Sequence, residues 1–235
     1  GDTCQTINPG AAFSFRDIQG MLQAHFGLRK QRTKRMKSSI KSLGINYRSQ
    51  PGILHLANTL VVLLETHFPQ AIDVLPLEQG HGAPTRPLFM HAPGCTNLAA
   101  LVSPIAVDRQ AVVILVRSDG KREELKAAGV AGTILTITEA KGLEFEVVVV
   151  VDFWQDCPHR SAGQLWTLPA SRAGHMARVL HQHHSGRLHT ATTRKERKAL
   201  YAVVPIIHEL KLLYTAITRA QAQCFLVDSS AGRPK

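Results

Sequence analysis

The chain has 235 residues, 44% of them hydrophobic, which suffices to bury one large α/β domain or one domain with extensions and excludes wholesale disorder. Lys and Arg number 28 against 17 Asp and Glu, a formal charge of +11 before any of the 12 histidines is counted, so the first partner to consider is a polyanion. The cysteines Cys4, Cys95, Cys157 and Cys224 are scattered without a CxxC pair, arguing against a zinc ribbon or a disulfide scaffold and for a reducing intracellular compartment, nucleus or cytoplasm. Apolar runs such as Leu60–Leu64 fall far short of the roughly 20 residues of a membrane helix, so no membrane partner is expected.

In chain order, Gly1-Asp2 reads as a strand end entering a loop to Pro9-Gly10, followed by a helix around Phe15–Phe26. No acid lies between Asp17 and Glu65, and Arg29–Lys41 holds seven basic residues, as either a solvated face or a phosphate-binding one. Leu43-Gly44-Ile45 is a short strand, the polar loop Asn46-Tyr47-Arg48-Ser49 follows, and Pro51 opens a helix through Leu64. Residues 69–104, rich in Pro and Gly, read as a connecting insertion with a few short extended pieces. Then an α/β alternation begins: Ala111–Val116 a strand, Lys121–Ala128 a helix, Thr133–Ile137 and Val147–Val151 strands, as in a buried parallel sheet. A second acid-free stretch lies between Asp156 and Glu196. Residues 158–198 read as a basic, His-rich insertion with local helix near His175–Leu180. A helix is expected after Pro205, through Ile217 to Arg219-Ala220, and a closing strand over Cys224–Val227.

Ready-made chemistry is scarce. Asp152 follows an apolar strand as the acidic strand of a nucleotide hydrolase would, but the chain has no Gly-x-x-x-x-Gly-Lys-Ser/Thr loop, which favours an ordinary strand-end carboxylate over a magnesium ligand. Neither a Gly-x-Ser-x-Gly elbow nor a His-Glu-x-x-His pair occurs. His181, His183, His184 and His189 favour a solvated basic loop over a metal site. The residues Gln5, Arg48, Lys141-Gly142-Leu143-Glu144 and Arg219 fall at expected strand ends, where open parallel sheets bind ligands. Arg48 and Arg219 either share one phosphate, a task suited to forked guanidinium groups, or each pair with a surface carboxylate.

Four segments in order tip that balance: Gly1-Asp2-Thr3-Cys4-Gln5-Thr6-Ile7, Asn46-Tyr47-Arg48-Ser49, Thr136-Ile137-Thr138-Glu139-Ala140-Lys141-Gly142-Leu143-Glu144-Phe145, and Glu209–Ala220 with its Tyr214-Thr215-Ala216-Ile217-Thr218-Arg219 core. Together they resemble motifs III, IV, V and VI of UvrD/Rep-like superfamily 1 helicases, most of all the eukaryotic helicase-like proteins with tetratricopeptide and ankyrin repeats. The resemblance implies an α/β fold, a RecA-like, P-loop NTPase-type parallel sheet flanked by helices, corresponding to the second helicase domain and lacking the P-loop itself. It divides the chain into 1–40, the end of a first RecA-like domain and a linker; 41–228, the second domain with insertions near 69–104 and 158–198; and a tail over 229–235.

It also implies a function: completing an ATP site between two RecA-like domains and moving along single-stranded nucleic acid, DNA in preference to RNA, in the 3′ to 5′ direction. Gln5 would contact the terminal phosphate, Tyr47 stack on adenine, Arg48 hold the terminal phosphate, Glu144 after the Gly142 turn bond the ribose, and Arg219 act as an arginine finger, worth roughly 10³ to 10⁵ in rate where such fingers operate. Arg219 is expected to be dispensable for the fold. Mg2+ would be held by the N-terminal RecA-like domain, which is also the expected protein partner, and the chain alone is expected to be inactive as an ATP hydrolase.

Thr138, Lys141, Phe13 and Phe15 are the candidates for nucleic-acid contact. Here the chain departs from the family: Asn8, Pro9 and Gly10 stand after Ile7 where a base-stacking aromatic pair is usual, Thr138 stands for a His, and no large domain separates Ser49 from Thr136. Those departures motivate an alternative, a catalytically inactive nucleic-acid-binding or regulatory module; a third possibility is a protein-interaction platform attached to repeats.

Overall fold

A computed structural model describes residues 2–8, 14–26, 43–68, 71–74, 76–82, 85–92, 95–107, 112–158 and 194–230. The basic stretch Arg29–Lys41, Phe13, the histidines at 181–189 and the expected local helix near His175 lie outside the described residues.

The apolar runs make the centre of the molecule. Strands β3 (Leu88–His91), β4 (Val112–Val116), β5 (Thr133–Thr136), β6 (Phe145–Val151) and β7 (Ala220–Asp228) form a five-stranded sheet in the order β3-β7-β6-β4-β5, every neighbouring pair parallel. Parallel sheets are covered on both faces, so β4 and the second half of β6 are buried at every residue. Alternate side chains divide between two cores. Val113, Leu115, Val148, Val150, Cys224 and Leu226 pack with helices α2 (Pro51–His67) and α5 (Arg194–Ile217) and with Cys4 and Ile7. Val112, Ile114, Val149, Phe225 and Val227 pack on the opposite face with α3 (Cys95–Val107) and α4 (Asp119–Ala127). The expected α/β class, a parallel sheet flanked by helices, is the fold observed.

Local chemistry sets the helix ends. Pro51 occupies the first turn of α2, where its missing N–H costs nothing. Ser118 caps α4 by accepting from the Lys121 N–H, with Asp119 in the first turn and Lys126 in the last, each complementing the helix dipole. Helix α1 (Phe15–Phe26) has the expected span.

Three expectations are corrected. Within 69–104, read as connecting insertion, β3 joins the main sheet as its edge and α3 covers a face. Pro104 lies inside α3 and Pro205 inside α5, which begins at Arg194 rather than after Pro205. A proline removes one helical bond, and buried contacts such as Ile206, Leu210, Leu213 and Ile217 outweigh that loss in α5. The strand expected over 43–45 is β1 (Ile45–Asn46), paired with β2 (Gln79–Gly80) outside the main sheet. Among the described residues, no helix is long and apolar enough to cross a membrane.

Candidate functional site

The dispersed candidates meet where β6 and β7 begin. Phe145 pairs with Ala220 across these strands and its N–H donates to the Arg219 carbonyl at 2.9 Å, bringing Glu144 and Arg219 side by side. The loop 46–50 is stitched to the same edge: Ser49 Oγ donates to the Ala220 carbonyl at 2.7 Å, and the Gln50 N–H to the Gln221 carbonyl at 2.8 Å. Asn46 Oδ1 accepts from the Arg48 and Ser49 N–H groups at 2.8 and 3.0 Å and so shapes the loop. The outcome is an ion pair of Arg48 Nη2 with Glu144 Oε1 at 2.6 Å, while Gln221 Nε2 donates to Glu144 Oε2 at 3.2 Å.

Arg219 sits behind that pair, 1% exposed. Its Nε donates to the Thr215 carbonyl at 3.1 Å, Nη1 to the Leu143 carbonyl at 3.0 Å, and Nη2 to Gln5 Oε1 at 3.1 Å and Thr218 Oγ1 at 3.2 Å. Burial, and next the charge of Arg48, lower its pKa from the ordinary value; a guanidinium remains charged all the same. This burial corrects the expectation that Arg219 is dispensable for the fold, because its removal strands several acceptors. Of the two arginines, Arg48 pairs with a carboxylate, and Arg219 bonds to an amide, a hydroxyl and carbonyls.

Gln5 is held from both sides. It ends a 3₁₀ turn, Thr3–Gln5, capped by Asp2, whose Oδ1 accepts from the Cys4 N–H at 2.8 Å. Asp2 Oδ2 accepts from Gln5 Nε2 at 3.0 Å and from the Tyr214 hydroxyl at 2.9 Å. The Gln5 amide therefore donates to Asp2 and accepts from Arg219. One turn earlier in α5, Lys211 Nζ donates to Thr6 Oγ1 at 2.9 Å. Residues 211 and 214 share a face of α5 at helical spacing, and that face grips the amino-terminal segment through Thr6 and Asp2. Burial lowers the Lys211 pKa and raises that of the Tyr214 hydroxyl, with Asp2 adding to the latter, so Tyr214 is a neutral donor.

The turn before Glu144 requires Gly142, which adopts φ +89° with nothing within 4 Å of a Cβ built there; the need is conformational, not spatial. Thr138 is exposed, and Lys141 Nζ reaches Asn8 Oδ1 at 3.4 Å. Tyr47 is 82% exposed. Phe15 is half-buried at the start of α1, where its N–H donates to Asp73 Oδ2 at 2.8 Å; none of the contacts above links it to Arg48, Glu144 or Arg219. Thus Gln5, Arg48, Glu144 and Arg219 form one connected set, with Tyr47 and Gly142 flanking it in sequence.

Two features depart from the sequence reading. The set lies at the amino ends of β6 and β7, not the carboxyl ends where parallel sheets usually bind ligands. Asp2, Tyr214 and Gln221, which hold the set in place, were not singled out; the Asp two residues before a backbone donor is the cap signature that marks Asp2. At the carboxyl ends, Asp152 is fully buried, accepts from Lys121 Nζ at 2.9 Å and from the Ser229 N–H at 2.7 Å, and is the strand-end carboxylate expected from sequence.

No family model matches the chain. It is 32% identical, over 262 aligned positions, to human TPR and ankyrin repeat-containing protein 1, an alignment that covers 98% of the chain and 8% of that protein. The chain is also similar, at 18% identity and TM-score 0.37 over 78% of this chain and 87% of that one, to the crystal structure of the C-terminal domain of a possible DNA helicase from Lactobacillus plantarum WCFS1.

Proposed function

We propose that the chain is the second lobe of an ATP site in a nucleic-acid-dependent ATPase of the superfamily 1 helicase type. The observation carrying this reading is the single hydrogen-bonded set that joins Gln5, Arg219, the Leu143–Glu144 turn and Arg48. The donor set suits a nucleoside triphosphate: two guanidinium groups for phosphate oxygens, a carboxylate able to accept from a ribose hydroxyl, and an exposed ring able to stack on a base. Across the cleft, a phosphate loop and the Mg2+ ligands would come from the N-terminal RecA-like domain.

In this reading Arg48 exchanges Glu144 for phosphate when the cleft closes, and Glu144, still held by Gln221, turns to the ribose. Arg219 and Gln5 share one bond, so a phosphate that draws the guanidinium also releases the Gln5 carbonyl. That exchange links the reacting phosphate to the segment beginning at Thr6, and through Asn8 to Lys141. Thr138 and Lys141 are the nucleic-acid candidates here, with Phe15 secondary because it is half-buried.

The test is ATP hydrolysis by the intact protein, stimulated by single-stranded DNA. Arg219→Lys and Arg48→Ala each lower kcat by at least about 10³ if both arginines stabilise the transferring phosphoryl group. Clear magnesium-dependent hydrolysis by the 235 residues alone refutes a half-site. A second reading, an inactive nucleic-acid-binding module, draws on Thr138 and on Asn8 following Ile7 where charge and stacking are expected; it predicts single-strand binding, with a log–log salt slope of about −0.7 per phosphate contact, and no turnover in any context.

A further inference from the structure

Beside the arginines, the same edge carries a ring pair. The rings of Tyr47 and His81 stack with centroids 5.3 Å apart and planes inclined by 17°. Both residues are exposed, so the pair adds little to core burial, and the Tyr47 face away from His81 is open to solvent.

His81 is not on a free arm. Its segment packs closely on the Tyr47 loop and the first turn of α2, at positions that favour glycine. A Cβ on Gly80 would lie 2.7 Å from Leu54 Cδ1 and 3.1 Å from the Ser49 carbonyl oxygen. Gly82 has φ +107°, and a Cβ there would stand 3.0 Å from Gln50 Oε1. Across the contact, a Cβ on Gly52 would overlap the Thr85 carbonyl oxygen at 1.8 Å. Thr85 is itself tied to the sheet edge, its Oγ1 donating to the Ala222 carbonyl at 2.9 Å. Side chains are thus disfavoured on both sides of His81, at Gly80 by close contact and at Gly82 by its φ, and the backbone between them carries the ring to Tyr47.

We propose that His81 is a positioning residue for nucleobase recognition: it braces one face of Tyr47 so that the other is presented to the purine of a nucleotide whose phosphates meet Arg48. The inference rests on the nucleotide reading above and extends it to a residue outside the four motifs. Ring and guanidinium leave adjacent residues of one loop, so bracing Tyr47 also narrows the positions of the base relative to the phosphates. An unbraced exposed tyrosine would have to be ordered by the ligand, at the expense of affinity.

The experiment titrates ADP and CDP into the chain, reading dissociation constants and the ring-proton resonances of Tyr47, for wild type, His81→Ala, His81→Phe and Tyr47→Ala. His81→Ala weakens ADP roughly three- to tenfold, the scale of one aromatic stacking contact, and His81→Phe restores it. ADP binds more tightly than CDP in wild type, and His81→Ala narrows that difference. Unchanged ADP affinity in His81→Ala, with binding lost in Tyr47→Ala, overturns the bracing role and leaves the nucleotide site standing. ADP that leaves the wild-type Tyr47 resonances unperturbed overturns both.

Discussion

The two edges of the sheet use the same charged residue types to opposite ends. At the carboxyl edge, Lys121 faces Asp152, Glu124 and Asp156, and Arg117 pairs with Glu209, both side chains 7% exposed, while lying 4.0 Å over the Phe153 ring. Burial opposes the Lys121 charge, but the hydrogen bonds it donates to Asp152 and Glu124 hold its pKa above the ordinary value. At the amino edge, Arg48 and Arg219 share the vicinity of one carboxylate, Glu144, and the Arg48–Glu144 pair is 41% and 36% exposed. One edge closes its charges on each other. The other sets two arginines against one carboxylate, with Arg48 at the surface and Arg219 buried behind it.

The sharpest break of this contrast is Asp152→Ala, which leaves Lys121 buried without its main partner and lowers stability by about 3–5 kcal/mol in denaturant unfolding. A loss below about 1 kcal/mol would mean that the carboxyl edge is not closed after all. Next comes Arg219→Ala, costing about 2 kcal/mol or more through stranded acceptors, again by denaturant unfolding. Gly142→Ala follows at about 1–2 kcal/mol, purely from backbone strain at φ +89°, and a crystal structure of the variant should show the turn displaced. Arg48→Ala changes stability by less than about 0.5 kcal/mol yet weakens ATP binding, which separates a ligand-facing charge from a structural one.

A pH measurement bears on the core between the edges. Burial pushes the Cys224 thiol from an ordinary 9.0 up to about 12. The folded protein keeps this proton after the unfolded chain has lost it, so stability falls as pH rises from about 9 towards 12. Cys224→Ala flattens that decline in pH-dependent urea unfolding, and native Cys224 resists alkylation at neutral pH.

The sheet was legible because Val112–Val116 and Val147–Val151 are continuous apolar runs, a pattern forced by burial on both faces. Helix α2 was legible from Pro51 and its spacing, and the Gly142 turn from the motif. The extents of α3 and α5 were not, since Pro104 and Pro205 read locally as boundaries and only tertiary packing overrides them. Motif order suggested that Gln5, Arg48, Glu144 and Arg219 belong together, and Glu144 and Arg219 each precede an expected strand; that β6 and β7 are neighbours depends on strand order, which no local pattern encodes. His81 carried no signal beyond the glycines on either side of it.

The connection from β5 to β6 runs from one edge of the sheet to the other. Its start is fixed at the carboxyl edge, where the Ile137 N–H donates to the Val116 carbonyl at 2.9 Å and Glu139 accepts from the Thr136 N–H at 2.8 Å. Its far end is Glu144, opposite Arg48. Between them Ala140 is buried in the core and Gly142 turns the chain at φ +89°. Eight residues, 137–144, thus tie opposite ends of the sheet, so a substitution at the Gly142 turn bears on the carboxylate that faces Arg48.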